Sequence, residues 1–270
     1  ALKFLSNVDL AYHWNWLDRE VFLALWIAIF GMLGLYLIGK IRFAHDSPLQ
    51  HLSVTRTILA VTVFAFVVYM VPGMWGAPLK SISAFLPPSA TQDFDLSAVN
   101  FGAAPAAGTG PAEKKKYYEI FHDRGTPKGF DPYYDYEEGL AAAKELGRPV
   151  LIDFTGWNCV NCRKMEANVW TDPRVAALLR EEFVMVELFV DDRTELAKQE
   201  QYVSEYSGKK INTIGKKNSD FQASVFNSNS QPLYVIVDTG GNVLVPPTGA
   251  DYNVNSYAAY LQSGIDAFKE

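Results

Sequence analysis

The chain has 270 residues, room for one large domain or two ordinary ones, and 49% of them are hydrophobic. Its net charge of −6 comes from residues 131–270, where 13 basic side chains face 21 acidic ones, which argues against nucleic acid as a partner of that half. Two cysteines are too few for a disulfide-framework fold.

The first third reads as membrane. Val21–Ile38 carries no charge over 18 residues and Thr57–Leu79 none over 23. Each is long enough to cross a hydrocarbon core about 30 Å thick. Neither keeps the polar stripe of a core helix. Residues 1–86 are therefore expected to form a membrane region with two transmembrane α-helices, at 21–38 and 57–79. Gly31 and Gly34 allow a neighbouring helix to approach. Pro72 and Gly73 are expected to kink or end the second span. Tyr12, Trp14, Trp16 and Trp75 have the character of interfacial aromatics. The connecting loop has Lys40, Arg42 and Arg56 against Asp46 alone, so the positive-inside rule puts it in the cytoplasm and both ends outside. His45 and His51 in that loop read as solvated residues.

Residues 87–130 read as an extracytoplasmic linker. Its stretch 102–112 is composed only of Gly, Ala, Pro and Thr, which cannot bury enough surface to fold. Lys114–Lys116 next to it reads as a solubilising patch.

Residues 131–270 alternate helix and strand. "YYDYEEGLAAAKELG" has helical spacing and ends at Gly147. "PVLIDF" is a short apolar run typical of a strand buried on both faces. "CVNCRKMEANVW" continues as a helix, and "TDPRVAALLREEF" has Thr171 or Asp172 to cap it and Pro173 in its first turn. "VMVELFVD" is a second buried strand, and "SDFQASVF" a short helix. "PLYVIVD", a Gly-Gly turn and "VLVP" read as a hairpin. "VNSYAAYLQSGIDAFK" closes the domain as an amphipathic helix. The order predicts an α/β domain with a mixed central sheet and flanking helices.

Cys159 and Cys162, spaced C-x-x-C, follow a buried strand and open a helix. At a helix N-terminus the unpaired N–H groups and the macrodipole favour a thiolate. Cys159 is thus the expected attacking thiol. Cys162, one turn further on the same face, is the resolving one. Inert disulfide and half a metal site are the competing readings. The metal reading lacks ligands, since the four histidines, at 13, 45, 51 and 122, all precede the domain. Arg163 stands where haem attachment would need His. No cofactor is expected beyond the redox-active cysteine pair, and no metal.

Asp153, six residues before Cys159, places a carboxylate inside a strand, which is costly unless it serves something. A raised pKa would let it exchange a proton with Cys162, although a strand-end Asp capped by backbone fits the same pattern. Glu166 shares a helix face with both cysteines and reads either as a second acid or as an exposed helix charge. Pro232, after Gln231, opens a strand.

These features together resemble the thioredoxin fold: an acid six before the first cysteine, C-x-x-C at a helix start, and a proline opening a later strand. The resemblance implies that Pro232 is cis and faces the cysteines, and that Gln231 pairs its backbone with substrate. It also implies that Trp157 and Asn158, before the first cysteine, border the substrate. Here Asn158 occupies the position usual for Trp, with Trp157 one earlier, and Gln231 replaces the commoner Thr or small apolar residue.

More narrowly, "RPVLIDFTGWNCVNCRKMEANVWTDPRVAALL" behind two spans and a linker resembles the C-terminal part of DsbD-type membrane protein-disulfide reductases. That resemblance implies a multi-pass inner-membrane protein with its C-terminal domain in the periplasm. It would act as a thiol:disulfide oxidoreductase relaying reductant to periplasmic disulfide-containing proteins. Its electron donor would be a transmembrane cysteine pair. Residues 1–158 contain no cysteine, so the chain is expected to be the terminal segment of a longer protein. A disulfide-forming oxidase or isomerase, and a non-catalytic tethered module, are the alternative functions. Val160 and Asn161 offer no cation to hold a thiolate, which argues against a strong oxidant. The stretch from Asp191 to Pro232 is long for this fold and contains Gly208-Lys209-Lys210 and Gly215-Lys216-Lys217. It reads as a basic loop, either a solvated insertion or the border of a partner surface.

Overall fold

The computed structural model describes residues 2–46, 51–93 and 115–270. Both charge-free runs are helical: α2 spans Arg19–Leu37 and α3 spans Val54–Met70. Ser53 caps α3 by accepting the Arg56 N–H at 3.3 Å. Arg56 in turn donates from Nε to Leu37 O and from Nη2 to Tyr36 O, so the end of α2 meets the start of α3 and the pair is antiparallel. Phe64 lies over Gly34, where any side chain would collide with its ring. Pro72 stops the α-helix, and the chain tightens into a 3-10 turn, Val71–Trp75, ending at a left-handed Gly76. α2, and α3 continued through this turn to Trp75, are long and apolar enough to cross a membrane, and only 17% of the apolar window of each is buried inside the protein.

A short helix, α1 (Leu2–Tyr12), precedes this pair. Two further 3-10 turns, Ser83–Phe85 and Ser89–Thr91, follow it. Arg19 ties them to the start of α2, donating from Nη1 to Pro87 O at 2.8 Å and from Nη2 to Pro78 O at 3.3 Å. Within the stretch read as linker, Tyr118–Gly125 is also helical (α4), and the Gly/Ala/Pro run 102–112 lies outside the described residues.

The C-terminal domain has a sheet ordered β2-β1-β5, from Val184–Phe189, Val150–Thr155 and Leu233–Val237. β1 runs parallel to β2 and antiparallel to β5. Alternation separates two cores, as the pleat requires. Val150, Ile152 and Phe154 face one side with Val186 and Val235. On that side lie α5 (Tyr136–Leu146) and α8 (Ile214–Phe226). Leu151, Met185 and Ile236 face the other, under α6 (Val160–Asn168), α7 (Pro173–Glu181) and α9 (Val254–Lys269). The expected helix ends hold: Asp172 caps α7 with Pro173 in its first turn, and Gly147 ends α5 at φ 64°.

Three local expectations change. "VLVP" does not form a continuous strand. It returns through single bridges, Val237 with Val243 and Tyr234 with Thr248. Pro246 and Pro247 between them have no N–H to donate. The basic insertion is not a loop. Part of it is a small hairpin, β3 (Tyr202–Val203) with β4 (Lys210–Ile211). The rest begins α8 five residues earlier than expected, because Thr213 caps it by accepting the Lys216 N–H. Lys217 then pairs with Asp135 at 2.8 Å.

Candidate active site

β1 delivers the chain to the site. Its last residue, Thr155, is followed by Gly156, where a side chain would meet the Asp191 carboxylate at about 3.0 Å. That carboxylate accepts the backbone N–H of Trp157 at 2.8 Å and of Asn158 at 3.0 Å, which fixes the approach to the cysteines. The Trp157 indole N–H donates to Asp192 Oδ2 at 2.9 Å, and His13 Nε2 reaches the same oxygen at 2.9 Å. Trp157 is 1% exposed and stacks among Phe121, Phe189 and His13, while Asn158 is exposed.

Cys159 is the N-cap of α6, and its Sγ accepts the Cys162 N–H at 3.1 Å. The two cysteines form a disulfide, with Cys159 7% exposed and Cys162 1%. Charge developing on Cys159 Sγ would therefore meet an oriented helix-end N–H. The turn Ser83–Phe85 packs against α6, so the described chain itself covers the dithiol helix. Tyr252 closes another flank, donating its hydroxyl to Asn161 at 2.9 Å.

Below α6 lies a buried row of polar groups. Asp153 pairs in register with Glu187 on one side and Tyr234 on the other, so all three point to the face that carries α6. Burial raises the Asp153 carboxyl well above the usual range, and neighbouring Glu187 and Glu166 add to this. Burial likewise lifts Glu187 to about 7 and Glu166 to about 8. Arg163 Nη2 lies 2.8 Å from Glu166 Oε1 and opposes all three shifts without offsetting burial. Burial thus favours the protonated form of these carboxyls beside α6, the helix that carries the disulfide. That is what protonation of a leaving thiolate requires.

The Gln231–Pro232 bond is cis. Leu233 pairs with Phe154, so Pro232 falls beside Thr155, at the strand end that leads to Cys159. Pro232 is buried and Gln231 exposed. Of the residues singled out in the sequence, Asp153, Glu166, Cys159 and Cys162 thus converge across β1 and α6, with Pro232 at their strand end. Trp157 faces inward, as part of the frame. Arg163, Glu187, Asp191 and Asp192 belong to the same region and were not among them. Glu187 lies within "VMVELFVD", where the argument applied to Asp153 would have found it. Among the described residues no cluster of three or more His, Cys, Asp or Glu is arranged to hold a metal.

Residues 131–238 match the family model described as Thioredoxin-like. These residues form a thioredoxin-like domain. Its sheet is mixed, and it carries the C-x-x-C disulfide. A 45-residue stretch, 17% of the chain, is 44% identical to the thiol:disulfide interchange protein DsbD of Ralstonia nicotianae and spans 7% of that protein's length. Among solved structures, a thioredoxin from Thermus thermophilus is 24% identical, with TM-score 0.35, over 48% of this chain and 82% of its own. A disulphide isomerase from Xylella fastidiosa Temecula1 is 19% identical, with TM-score 0.30, over 52% of this chain and 96% of its own.

Proposed function

We propose that this chain is a membrane-anchored thiol–disulfide oxidoreductase that relays reductant to extracytoplasmic proteins. The observation that carries the proposal is the Cys159–Cys162 disulfide, capping a helix beside buried acids whose protonated form burial favours. Cys159 exchanges with the partner's sulfur, Cys162 resolves, and Asp153 gives or takes the proton. Glu166 tunes the pair, and Gln231 beside the cis Pro232 offers backbone to an extended substrate, with exposed Asn158 at the same rim. The two apolar helices supply the anchor, and the basic loop between them supports a domain on the outer face. The named activity of the R. nicotianae relative supports exchange between proteins. A cysteine pair within the membrane is the proposed donor, and periplasmic disulfides are the acceptors.

Cys162→Ala tests this directly. It should leave Cys159 in a stable mixed disulfide with its partner, absent in the Cys159→Ala, Cys162→Ala double variant. A redox potential near the strongly oxidising end of the known range would replace reductant relay with disulfide formation.

A further inference from the structure

Glu187 has no part in the chemistry above, yet it is buried in the middle of β2, 2% exposed, beside Asp153. A carboxyl there is costly without a partner. Asp153 Oδ1 and Glu187 Oε1 make no hydrogen bond to any described residue. Glu187 Oε2, by contrast, accepts the Thr126 hydroxyl at 2.6 Å. Thr126 Oγ1 lies 2.7 Å from the Tyr134 hydroxyl, which lies 3.3 Å from His122 Nδ1.

The direction of this chain follows from proton counting. A hydroxyl has one proton. With the Thr126 proton on Glu187, Tyr134 must donate to Thr126 and His122 Nδ1 must donate to Tyr134. Every donor then points toward Glu187. Thr126 and Tyr134 are buried, whereas His122 is half-buried, and His122 and Thr126 line a pocket of about 320 Å³ with Gln92, Asp93 and Lys128. On the dithiol side, Cys162 is buried and the Ser83–Phe85 turn packs on its helix.

We infer that His122, Tyr134, Thr126 and Glu187 form a proton relay that refills Asp153 from this pocket, with Glu187 as its last donor, beside Asp153 in strand register. The inference rests on the thiol–disulfide reading of Cys159 and Cys162. A partner thiolate attacks Cys159 Sγ. The Cys159–Cys162 bond breaks, and its electron pair leaves on Cys162 Sγ. Cys162 takes the Asp153 proton, Asp153 takes that of Glu187, and Glu187 is refilled along the two hydroxyls from His122 and solvent. Each group passes one proton and receives one. No electron moves along the relay, since the partner dithiol supplies both. The other charged and titratable groups facing the acid pair are Glu166 and Arg163 from α6, Tyr234 from β5 and Tyr257 from α9. Burial keeps Glu187 protonated up to about 7, so a proton is on hand near neutrality.

The test uses the full chain, with dithiothreitol as the reducing dithiol. Tyr134→Phe and Thr126→Val break the hydroxyl chain without changing charge, and Glu187→Gln removes the proton of the last donor. Reduction rates are followed across pH, and the protonated carboxyl stretch of the oxidised protein is titrated by infrared spectroscopy. Tyr134→Phe is expected to slow reduction several-fold while leaving the carboxyl titration in place, and Thr126→Val to slow it likewise while raising the titration of Glu187, whose hydrogen bond it removes. Glu187→Gln should move the titration of Asp153 downward, and the pH limb of the rate with it. His122→Gln, at the solvent end, repeats the kinetic test where a buried substitution fails to fold. Unchanged rates in Tyr134→Phe and His122→Gln, or an unmoved titration in Glu187→Gln, would overturn the relay. A wild-type disulfide that dithiothreitol cannot reduce would instead sink the exchange reading, and the infrared titration would still decide the Asp153–Glu187 pairing.

Discussion

Arg163 Nη2 meets Glu166 Oε1 at 2.8 Å, and both side chains are buried. Burial nevertheless pushes the carboxyl up to about 8, outweighing the ion pair. Over most of the neutral range Glu166 is then protonated, and Arg163 is the cation of the acid row formed by Asp153, Glu166 and Glu187. Its Nε and Nη1 have no hydrogen-bond partner among the described residues, so its charge is little neutralised by local contacts. Arg163 directly follows Cys162 in α6, a cation that Val160 and Asn161 do not provide.

Replacing Arg163 with Met keeps most of the volume and removes the charge. The Cys159 thiol of the reduced chain is expected to titrate roughly one pH unit higher, since an opposite charge close by shifts an acid by about that much or more. Exchange with a disulfide substrate at neutral pH should slow accordingly. Ultraviolet absorbance of the thiolate against pH measures the shift, and an unmoved titration would show that Arg163 acts on the carboxyls alone.

The acid row also sets a slope of stability against pH. Folded Asp153, Glu187 and Glu166 hold their protons above the unfolded values. Their contribution is fully present below the unfolded pKa, about 4, and is lost as pH rises, through about 7 for Glu187 and about 8 for Glu166. Asp135 and Asp192 have lowered values and act oppositely, but below that window. Asp153→Asn should therefore raise stability at about pH 8 and leave it little changed near pH 4. Thermal unfolding of the detergent-solubilised chain at both pH values tests the sign.

How legible this was depends on the range of the contacts. β1, β2 and β5 are short apolar runs bounded by Pro149, Phe183 and Pro232, and full burial on both faces makes such runs stand out. α6 was legible because Cys159 caps it, and α7 because Asp172 and Pro173 start it. α8 was placed too late because Lys216 and Lys217 interrupt its apolar face, although Thr213 carries the cap. The packing of α1 on the domain has no local signature: Leu10 and Ala11 join Trp157 and Phe189 across most of the chain. Glu187 was visible as a carboxyl inside the buried run "VMVELFVD", but its place beside Asp153 depends on strand register and not on its neighbours in sequence.

Asp192 joins two such distant parts. Its Oδ2 receives the Trp157 indole and His13, and its Oδ1 receives the Thr194 N–H at 2.8 Å. Asp192→Ala would leave a buried indole N–H unpaired, a loss of about 1–3 kcal/mol. Asp192→Asn, which keeps an acceptor, should lose less. His13→Ala should cost little stability but alter Trp157 fluorescence, because their rings meet edge-on at 5.4 Å. Chemical denaturation with fluorescence detection separates the three variants.

The cover over the dithiol yields the last prediction. Cys159 is buried although exchange requires in-line access to its sulfur. Ala84, itself buried, lies in the Ser83–Phe85 turn that packs on α6. A long cation at this position cannot be buried without a partner and should push the turn outward. Ala84→Arg is therefore expected to raise the alkylation rate of reduced Cys159 several-fold. Cys162, deeper in α6, should stay protected. Ala84→Gln, nearly as long but uncharged, should also open the turn and leave the Cys159 thiol titration unmoved, whereas the added charge of Ala84→Arg would lower it. Faster alkylation with an unchanged titration in Ala84→Gln would identify the turn as a steric cover rather than an electrostatic influence. Wild-type alkylation would mean that the turn does not limit access to Cys159.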